Sequence, residues 1–435
     1  MDFLRLMPLE EALKDFFQRW QPRLRTETVP LEAATGRVLA EPVRATADIP
    51  GFARSTVDGY AVAAEDTFGA SEGLPAPLRV IGEVPMGQAA AVRLEPGAAV
   101  RVATGAMLPE GADAAVMIEH TETLDEGAHE IGVTRPVAPG DNVIRRGEDL
   151  AAGTELLAPG HTLTPYDIGA LSGIGLTAVK VFTAPLVAVV STGDEVVPAS
   201  AEPRPGQVRD INGPALAAAV LAEGGAPMVM GIYPDEFAAQ EGALHAALEG
   251  GADMVLVSGG SSVGARDLTS SVINSLGQPG VFLHGLAVRP GKPTIAALVG
   301  GVPVIGLPGH PASALVVFEV FVRPILKAMQ GLAGPAAWHR PWVWATLTRN
   351  LASGPGREDY VRVRLRPRPL PAGGGAEAAG LRGEVPTTDQ PAFEAEPVLG
   401  KSGLISTLVK ADGLLRIPLE KEGLRAGETV KVTLL

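Results

Sequence analysis

The chain has 435 residues, a formal net charge of −13 and no cysteine, and 46% of its residues are hydrophobic. That length fits two to four domains with several cores. The missing cysteines exclude disulfides, thiolate catalysis and cysteine-based zinc sites and fit a cytoplasmic protein; the acidic balance argues against a general nucleic-acid or anionic-membrane binder. A local basic pocket remains compatible with it, and no apolar run suits a membrane helix.

The N-terminal MDFLRLMPLEEALKDFFQRW carries acids early and has no signal-peptide layout. Pro8 suits a helix start, and Leu9, Leu13, Phe16, Phe17 and Trp20 recur with a helical period. Residues 1–49 with 141–182 form the first expected subdomain, where TLTPYDIGALSGIGLTAVKV predicts a capped helix from Thr164-Pro165. Residues 50–140 alternate apolar runs with Gly and Pro (LRVIGEVPMG, AAVMIEHTET) and read as a β-rich subdomain.

Residues 183–332 carry the clearest pattern. Apolar strands PLVAVVSTG, PMVMGIYPD, DMVLVSGG and PVIGLPG alternate with helical stretches such as NGPALAAAVLAEGG and RDLTSSVINSL. Such alternation predicts a doubly wound, mostly parallel sheet. From residue 333, WVWATLTR, DYVRVRLRP and GETVKVTLL predict a small β domain, with PAGGGAEAAG (Pro371 to Gly380) as a disordered loop tip.

Each predicted strand of the α/β zone ends in an unusual turn: STGDEV, YPDE, SGGSSVG and GLPGHPAS. Ligands of open sheets bind at the carboxyl ends of strands. Ser258, Gly259, Gly260 and Ser261 would let backbone N–H groups and hydroxyls approach an anion. The run is neither a P-loop, since Ala265-Arg266 follow Gly264, nor a GxGxxG fingerprint. A tight strand–helix connection fits it equally well.

Asp194, Glu195, Asp235 and Asp267 should share one sheet edge. Singly, Asp235 reads as a helix cap and Asp267 as a first-turn acid. Together, beside an anion cradle, they favour a hard cation such as Mg²⁺. Positive charge gathers in AVRPGKPT, where Arg289 and Lys292 sit between Pro290 and Pro293; guanidinium and ammonium suit an oxyanion or pyrophosphate, and a solvated turn is the alternative. Asp58 precedes Gly59 in FARSTVDGYAV, a turn-forming pair by itself. The seven histidines form no HxH or HExxH pair, His310 reads as structural, and no GxSxG elbow supports acyl transfer.

In order, FARSTVDGYAV, RVATGAMLPEGADAAVMIE, STGDEV, SGGSSVGARD, RPGKPT and GLPGHPAS resemble the molybdopterin molybdenumtransferase family (MoeA type, including the E domain of gephyrin), nearly end to end. The resemblance implies insertion of molybdate into adenylated molybdopterin, with Mg²⁺-assisted hydrolysis of the adenylate and release of AMP and molybdenum cofactor. It implies an elongated N-terminal subdomain, a pterin-binding α/β module, a C-terminal β-barrel-like domain and a homodimer whose chains share the active site. A molybdopterin adenylyltransferase would be a possible partner.

Carried over by position, Asp58 and Thr104 match catalytic positions of the second subdomain. Glu195, Asp235 and Asp267 match acids linked to substrate or Mg²⁺. Arg289, Lys292 and the neighbouring Pro293 and Pro308 match the molybdate or dithiolene region, and Arg357 and Ser402 match molybdate contacts of the last subdomain. Arg289 stands where the family commonly has Lys, His310 where Asn is usual, and Val57 where Met is usual. Two other readings carry weight. The gephyrin branch uses this fold as a scaffold, which the lack of a long linker region argues against. The α/β module is also similar to adenylyltransferases and a nucleotide-pyrophosphatase family, which VDGYA and the flanking β zones argue against.

Overall fold

Helix α1 (Leu9–Arg19) starts directly after Pro8, which needs no helical N–H bond of its own at that end. Leu9, Ala12 and Phe16 form its buried stripe, with Trp20 just beyond and Leu13 and Phe17 half-buried beside it. The computed structural model describes residues 6–125, 127, 129–259, 263–332, 334, 338–368 and 391–435. The expected loop tip at Pro371 to Gly380 lies outside the described residues, as do Gly260 and Ser261. The chain forms two compact units: Thr28–Thr35 with Leu39–Lys180, and Met1–Glu27 and Gly36–Val38 with Val181–Leu435.

The first unit is built on a six-stranded sheet. Strands β1 (Gly59–Val62), β2 (Ala76–Val84), β3 (Ala98–Val102), β4 (Ala114–Met117), β5 (Thr121–Thr123) and β6 (Glu130–Val133) lie in the order β4-β1-β3-β2-β6-β5. Only β2 and β3 pair in parallel. All four residues of β1 are buried because both its faces are covered: Tyr60 and Val62 join one core with Val116 and Ile131, and Ala61 joins another with Val84 and Val100. In the same unit Thr164 caps α2 (Pro165–Gly173) as the sequence predicts, in a reciprocal box with Asp167.

The second unit holds the α/β module. Strands β7 (Leu186–Thr192), β8 (Ala226–Tyr233) and β9 (Met254–Ser258) alternate with helices α3 (Asn212–Ala222), α4 (Phe237–Glu249) and α5 (Val263–Leu276). The chain continues through β10 (Pro279–His284), the short β11 (Val288–Arg289), β12 (Ile295–Val299), β13 (Val302–Leu307), α6 (Pro311–Val317) and α7 (Arg323–Met329). The sheet order is β8-β7-β9-β13-β12-β10. The four expected strands are parallel, and β12 and β10 extend the sheet with antiparallel pairings that sequence patterning did not reveal.

Alternation along β7 winds helices onto both faces. Val187 and Val189 pack with α1, α3, α6 and α7, whereas Ala188 and Val190 pack with α4 and α5. A π-helical turn, Phe318–Val322, joins α6 to α7. Pro324 follows at once and withholds the N–H that a regular ladder would need there.

The rest of this unit is a closed five-stranded barrel. Strands β14 (Trp342–Leu347), β15 (Glu358–Pro367), β16 (Phe393–Pro397), β17 (Gly413–Ile417) and β18 (Thr429–Leu434) run β15-β16-β14-β18-β17, and β17 pairs back to β15. Closure removes exposed sheet edges and encloses Ala345, Leu347, Val363, Leu415 and Val432. From the α/β module, β11 pairs in parallel with β15, setting Arg289 opposite Asp359.

A buried ion cluster fastens barrel to module. Glu223, just past α3, meets Arg323 at 2.9 Å and Lys327 at 3.0 Å on α7, and Arg340 at 2.6 Å just before β14. Glu319 pairs with Arg340 at 2.5 Å. Burial alone would raise the Glu223 carboxyl, but Lys327, Arg323 and Arg340 hold it below the ordinary carboxylate range. No helix among the described residues is long and apolar enough to cross a membrane.

Candidate active site

The first group of residues lies at the carboxyl edge of the parallel sheet. Ser258 ends β9 and is buried, and its hydroxyl accepts a 2.7 Å hydrogen bond from Asn212 Nδ2. Asn212 also donates to the Gly309 carbonyl at 2.9 Å, tying the first turn of α3 to the turns after β9 and β13. Gly259 has φ +151°, and a Cβ there would stand 2.0 Å from Thr192 Oγ1. Only glycine lets this turn pass so close to β7. Pro308 is buried one residue past β13.

Acids collect at the same edge. The Asp235 backbone N–H donates to Asp194 Oδ1 at 3.0 Å, and Gln240 Nε2 donates to Asp235 Oδ1 at 3.2 Å. Asp235 therefore precedes α4 without capping it, since Glu236 occupies the cap position. Burial, followed by the charges of Asp194 and Glu195, pushes the Asp235 carboxyl above its ordinary value. Asp267 is exposed on α5, and no hydrogen bond or ion pair joins it to those three among the described residues. Nor do any three His, Asp or Glu side chains among the described residues form a ready metal cage. The donor set still suits Mg²⁺, which is commonly held by one or two carboxylates plus substrate phosphates and water.

The second group lines a cleft of about 710 Å³ between the α/β module and the barrel. Arg289, Lys292 and Pro293 come from the module, and Arg357, Lys401 and Ser402 from the barrel side. Gly291 holds the turn between Arg289 and Lys292 at φ +129°, where a Cβ would meet Val317 Cγ2 at 2.5 Å. Across the cleft the Ala312 N–H donates to the Ser402 carbonyl at 3.2 Å, fixing the 401–403 loop over the start of α6. Arg289 and Arg357 both face Asp359, at 3.6 Å and 3.4 Å. Five cations, with Arg362 as the fifth, line this cleft against one acid, a charge balance that suits an oxyanion.

The third group sits in the other unit and is described on its own. Asp58 immediately precedes β1, and its Oδ1 accepts a 2.8 Å hydrogen bond from the Thr104 N–H. Two residues 46 positions apart thus form one exposed feature. A Cβ on Gly59 would lie 1.9 Å from the Val116 carbonyl oxygen, so only glycine lets β1 pass β4 directly after Asp58. Sequence reasoning missed Asn212, Gln240 and Asp359. The amides act through long-range contacts that carry no local spacing signal, and Asp359 was hidden inside an alternating strand.

Family models match most of the chain: the MoeA N-terminal region (domain I and II) over residues 7–175, a probable molybdopterin binding domain over 188–328, and the MoeA C-terminal region (domain IV) over 378–435. Molybdopterin molybdenumtransferase 2 of Mycobacterium tuberculosis is 39% identical over 342 residues, covering 78% of this chain and 83% of the relative. Molybdopterin molybdenumtransferase of Bacillus subtilis is 32% identical over 431 residues, covering 99% and 94%. A solved molybdopterin biosynthesis MoeA protein from Pyrococcus horikoshii superposes with TM-score 0.80 at 38% identity, covering 99% of each chain. The chain belongs to the molybdopterin molybdenumtransferase family.

Proposed function

We propose that this enzyme of molybdenum cofactor biosynthesis inserts molybdate into adenylated molybdopterin, hydrolysing the adenylate in a Mg²⁺-dependent step and releasing AMP. The observation that supports it most is the meeting of Arg289, Lys292, Arg357 and Ser402 in one cleft. Molybdate is a tetrahedral dianion, and paired guanidinium and ammonium groups held by rigid strands bind it without reorganising. The adenylate's phosphates would lie at the sheet edge, against Ser258, Gly259 and the start of α5.

In this reading Glu195, Asp235 and Asp267 are the acids that would hold Mg²⁺, and the ion would supply charge neutralisation at the phosphoanhydride. Asp58 and Thr104 act from the second chain of a cytoplasmic homodimer, Asp58 orienting the attacking water. No protein nucleophile is required, because positioning and charge stabilisation carry the reaction. The dithiolene sulfurs belong to the substrate, so the lack of cysteine is no obstacle. An adenylyltransferase is the expected supplier of the substrate.

The test is AMP release from adenylated molybdopterin on adding molybdate and Mg²⁺. Asp58→Ala and Asp267→Ala should keep the wild-type circular dichroism spectrum and lose AMP release; wild-type turnover in both would overturn their roles. Molybdopterin with ATP should yield no pyrophosphate, whereas an adenylyltransferase would produce it.

A further inference from the structure

Two serines end neighbouring strands of the parallel sheet in register, Ser191 on β7 and Ser258 on β9. Both are buried, and both face α3, since they keep the parity of Val187 and Val189 and of Met254 and Leu256. A hydroxyl offers one hydrogen and two lone pairs, so its protein partner decides which of them is left over. Ser191 donates to Asp210 Oδ2 at 2.8 Å, and Asp210 Oδ1 accepts the Gly213 N–H at 2.9 Å. The Ser191 hydrogen is therefore spent inside the protein.

Ser258 is held the other way round. The Gly309 carbonyl can only accept, so the Asn212 atom 2.9 Å from it is the amide nitrogen. The second hydrogen of that nitrogen goes to Ser258 Oγ at 2.7 Å. Ser258 Oγ is thereby an acceptor, and no acceptor among the described residues takes its own hydrogen. Asn212 is itself only 8% exposed, so solvent does not compete for these bonds. A second hydroxyl beside the same turn is open as well. Thr192 Oγ1 is buried without a partner among the described residues, 2.0 Å from where a Cβ on Gly259 would stand. Buried hydroxyls left incomplete are unfavourable unless a ligand completes them.

We propose that Asn212 is a positioning residue that fixes Ser258 as a hydrogen-bond donor toward a phosphate of the adenylated substrate. The inference rests on reading this sheet edge as the adenylate site. Phosphoanhydride oxygens accept and do not donate. A hydroxyl with its hydrogen free binds them, whereas one turned as Ser191 is turned would present lone pairs and repel them. Asn212 acts through Ser258 and needs no contact with the substrate.

The test is a double-mutant cycle on the binding of adenylated molybdopterin to the full chain, by calorimetry without molybdate or Mg²⁺. Ser258→Ala should weaken binding about tenfold. Asn212→Ala should weaken it by about fivefold or more when Ser258 is present, and by less than about twofold when Ser258 is already Ala. A merely structural role for Asn212 would give the same loss in both backgrounds. Equal losses, or wild-type affinity in Asn212→Ala, overturn the proposal. Asn212→Asp keeps the size but offers Ser258 an acceptor, so it should bind at least as weakly as Asn212→Ala; wild-type affinity there also overturns it. Should both Asn212 variants fail to fold, Ser258→Ala decides, and unchanged affinity overturns the proposal. Binding is read apart from turnover. Wild-type binding without AMP release on adding molybdate and Mg²⁺ would contradict the proposed function alone, and AMP release with equal losses in the cycle would contradict the Asn212 role alone.

Discussion

Replacing Glu223 with Gln should loosen the barrel from the α/β module and with it the cleft between them. Removing one partner of a buried ion pair costs about 3–5 kcal/mol because the other charge is left uncompensated. Here Arg323 and Arg340 keep Glu319, at 3.9 Å and 2.5 Å, and Lys327 keeps the Glu223 carbonyl at 2.9 Å. The lower end, about 3 kcal/mol, is therefore expected. For a unit of this size that lowers the unfolding midpoint by roughly 6–12 °C. All four tryptophans, Trp20, Trp338, Trp342 and Trp344, belong to this unit, so tryptophan fluorescence follows its melting without interference from the other.

The pH dependence has a fixed sign. The folded Glu223 carboxyl titrates below its unfolded value, so its stabilisation is complete above the ordinary carboxylate range and fades as pH falls through the folded value. The gap between wild type and Glu223→Gln should hold at pH 7 and narrow in acid, below about pH 4. Midpoints within 2 °C of each other at pH 7, as an order-of-magnitude threshold, would refute this account of the clamp.

Thr164→Ala removes the cap of α2 and should cost about 1 kcal/mol in urea denaturation of the other unit. Gly259→Ala would drive a Cβ to within 2.0 Å of Thr192 Oγ1 and 2.5 Å of the Thr192 carbonyl. It should preserve secondary structure by circular dichroism but weaken adenylated molybdopterin binding at least tenfold, on the order of 1.4 kcal/mol. Leu256→Ala empties a fully buried position in the central strand and should cost about 2–5 kcal/mol by denaturant melting, with a matching loss of soluble yield.

Strands and helices were legible wherever burial is one-sided or runs are fully apolar. The β7, β8, β9 and β13 strands and the helices between them follow from apolar runs alternating with helical stretches, and the α2 cap follows from the Thr164-Pro165 pair. Strands β10 and β12 were not legible, because PGVFLH and IAALV lack the strand–helix alternation that marks a parallel unit. The buried stripe of α1 was plain, but its periodicity names a face without naming what covers it; the α/β core does.

The site divides in the same way. Short motifs drew attention to Asp58, Gly259, Arg289 and Lys292, because glycine and proline punctuate the turns that carry them, whereas Thr104 came from the family resemblance alone. The hydrogen bond from Thr104 to Asp58 and the convergence of Arg289 with Arg357 depend on strand pairing between distant segments. Asp359 and Arg362 look like ordinary members of an alternating charged strand in DYVRVRLRP. Only barrel closure and the β11–β15 pairing bring them to the cleft.

The most direct measurement is anomalous diffraction at the molybdenum edge from crystals soaked in molybdate. The account predicts a peak in the cleft, within ion-pairing reach of Lys292 and Arg357 and beside Ser402, that vanishes in Arg357→Gln. A cleft without a peak, or molybdenum held elsewhere with Arg357→Gln unchanged, would contradict it.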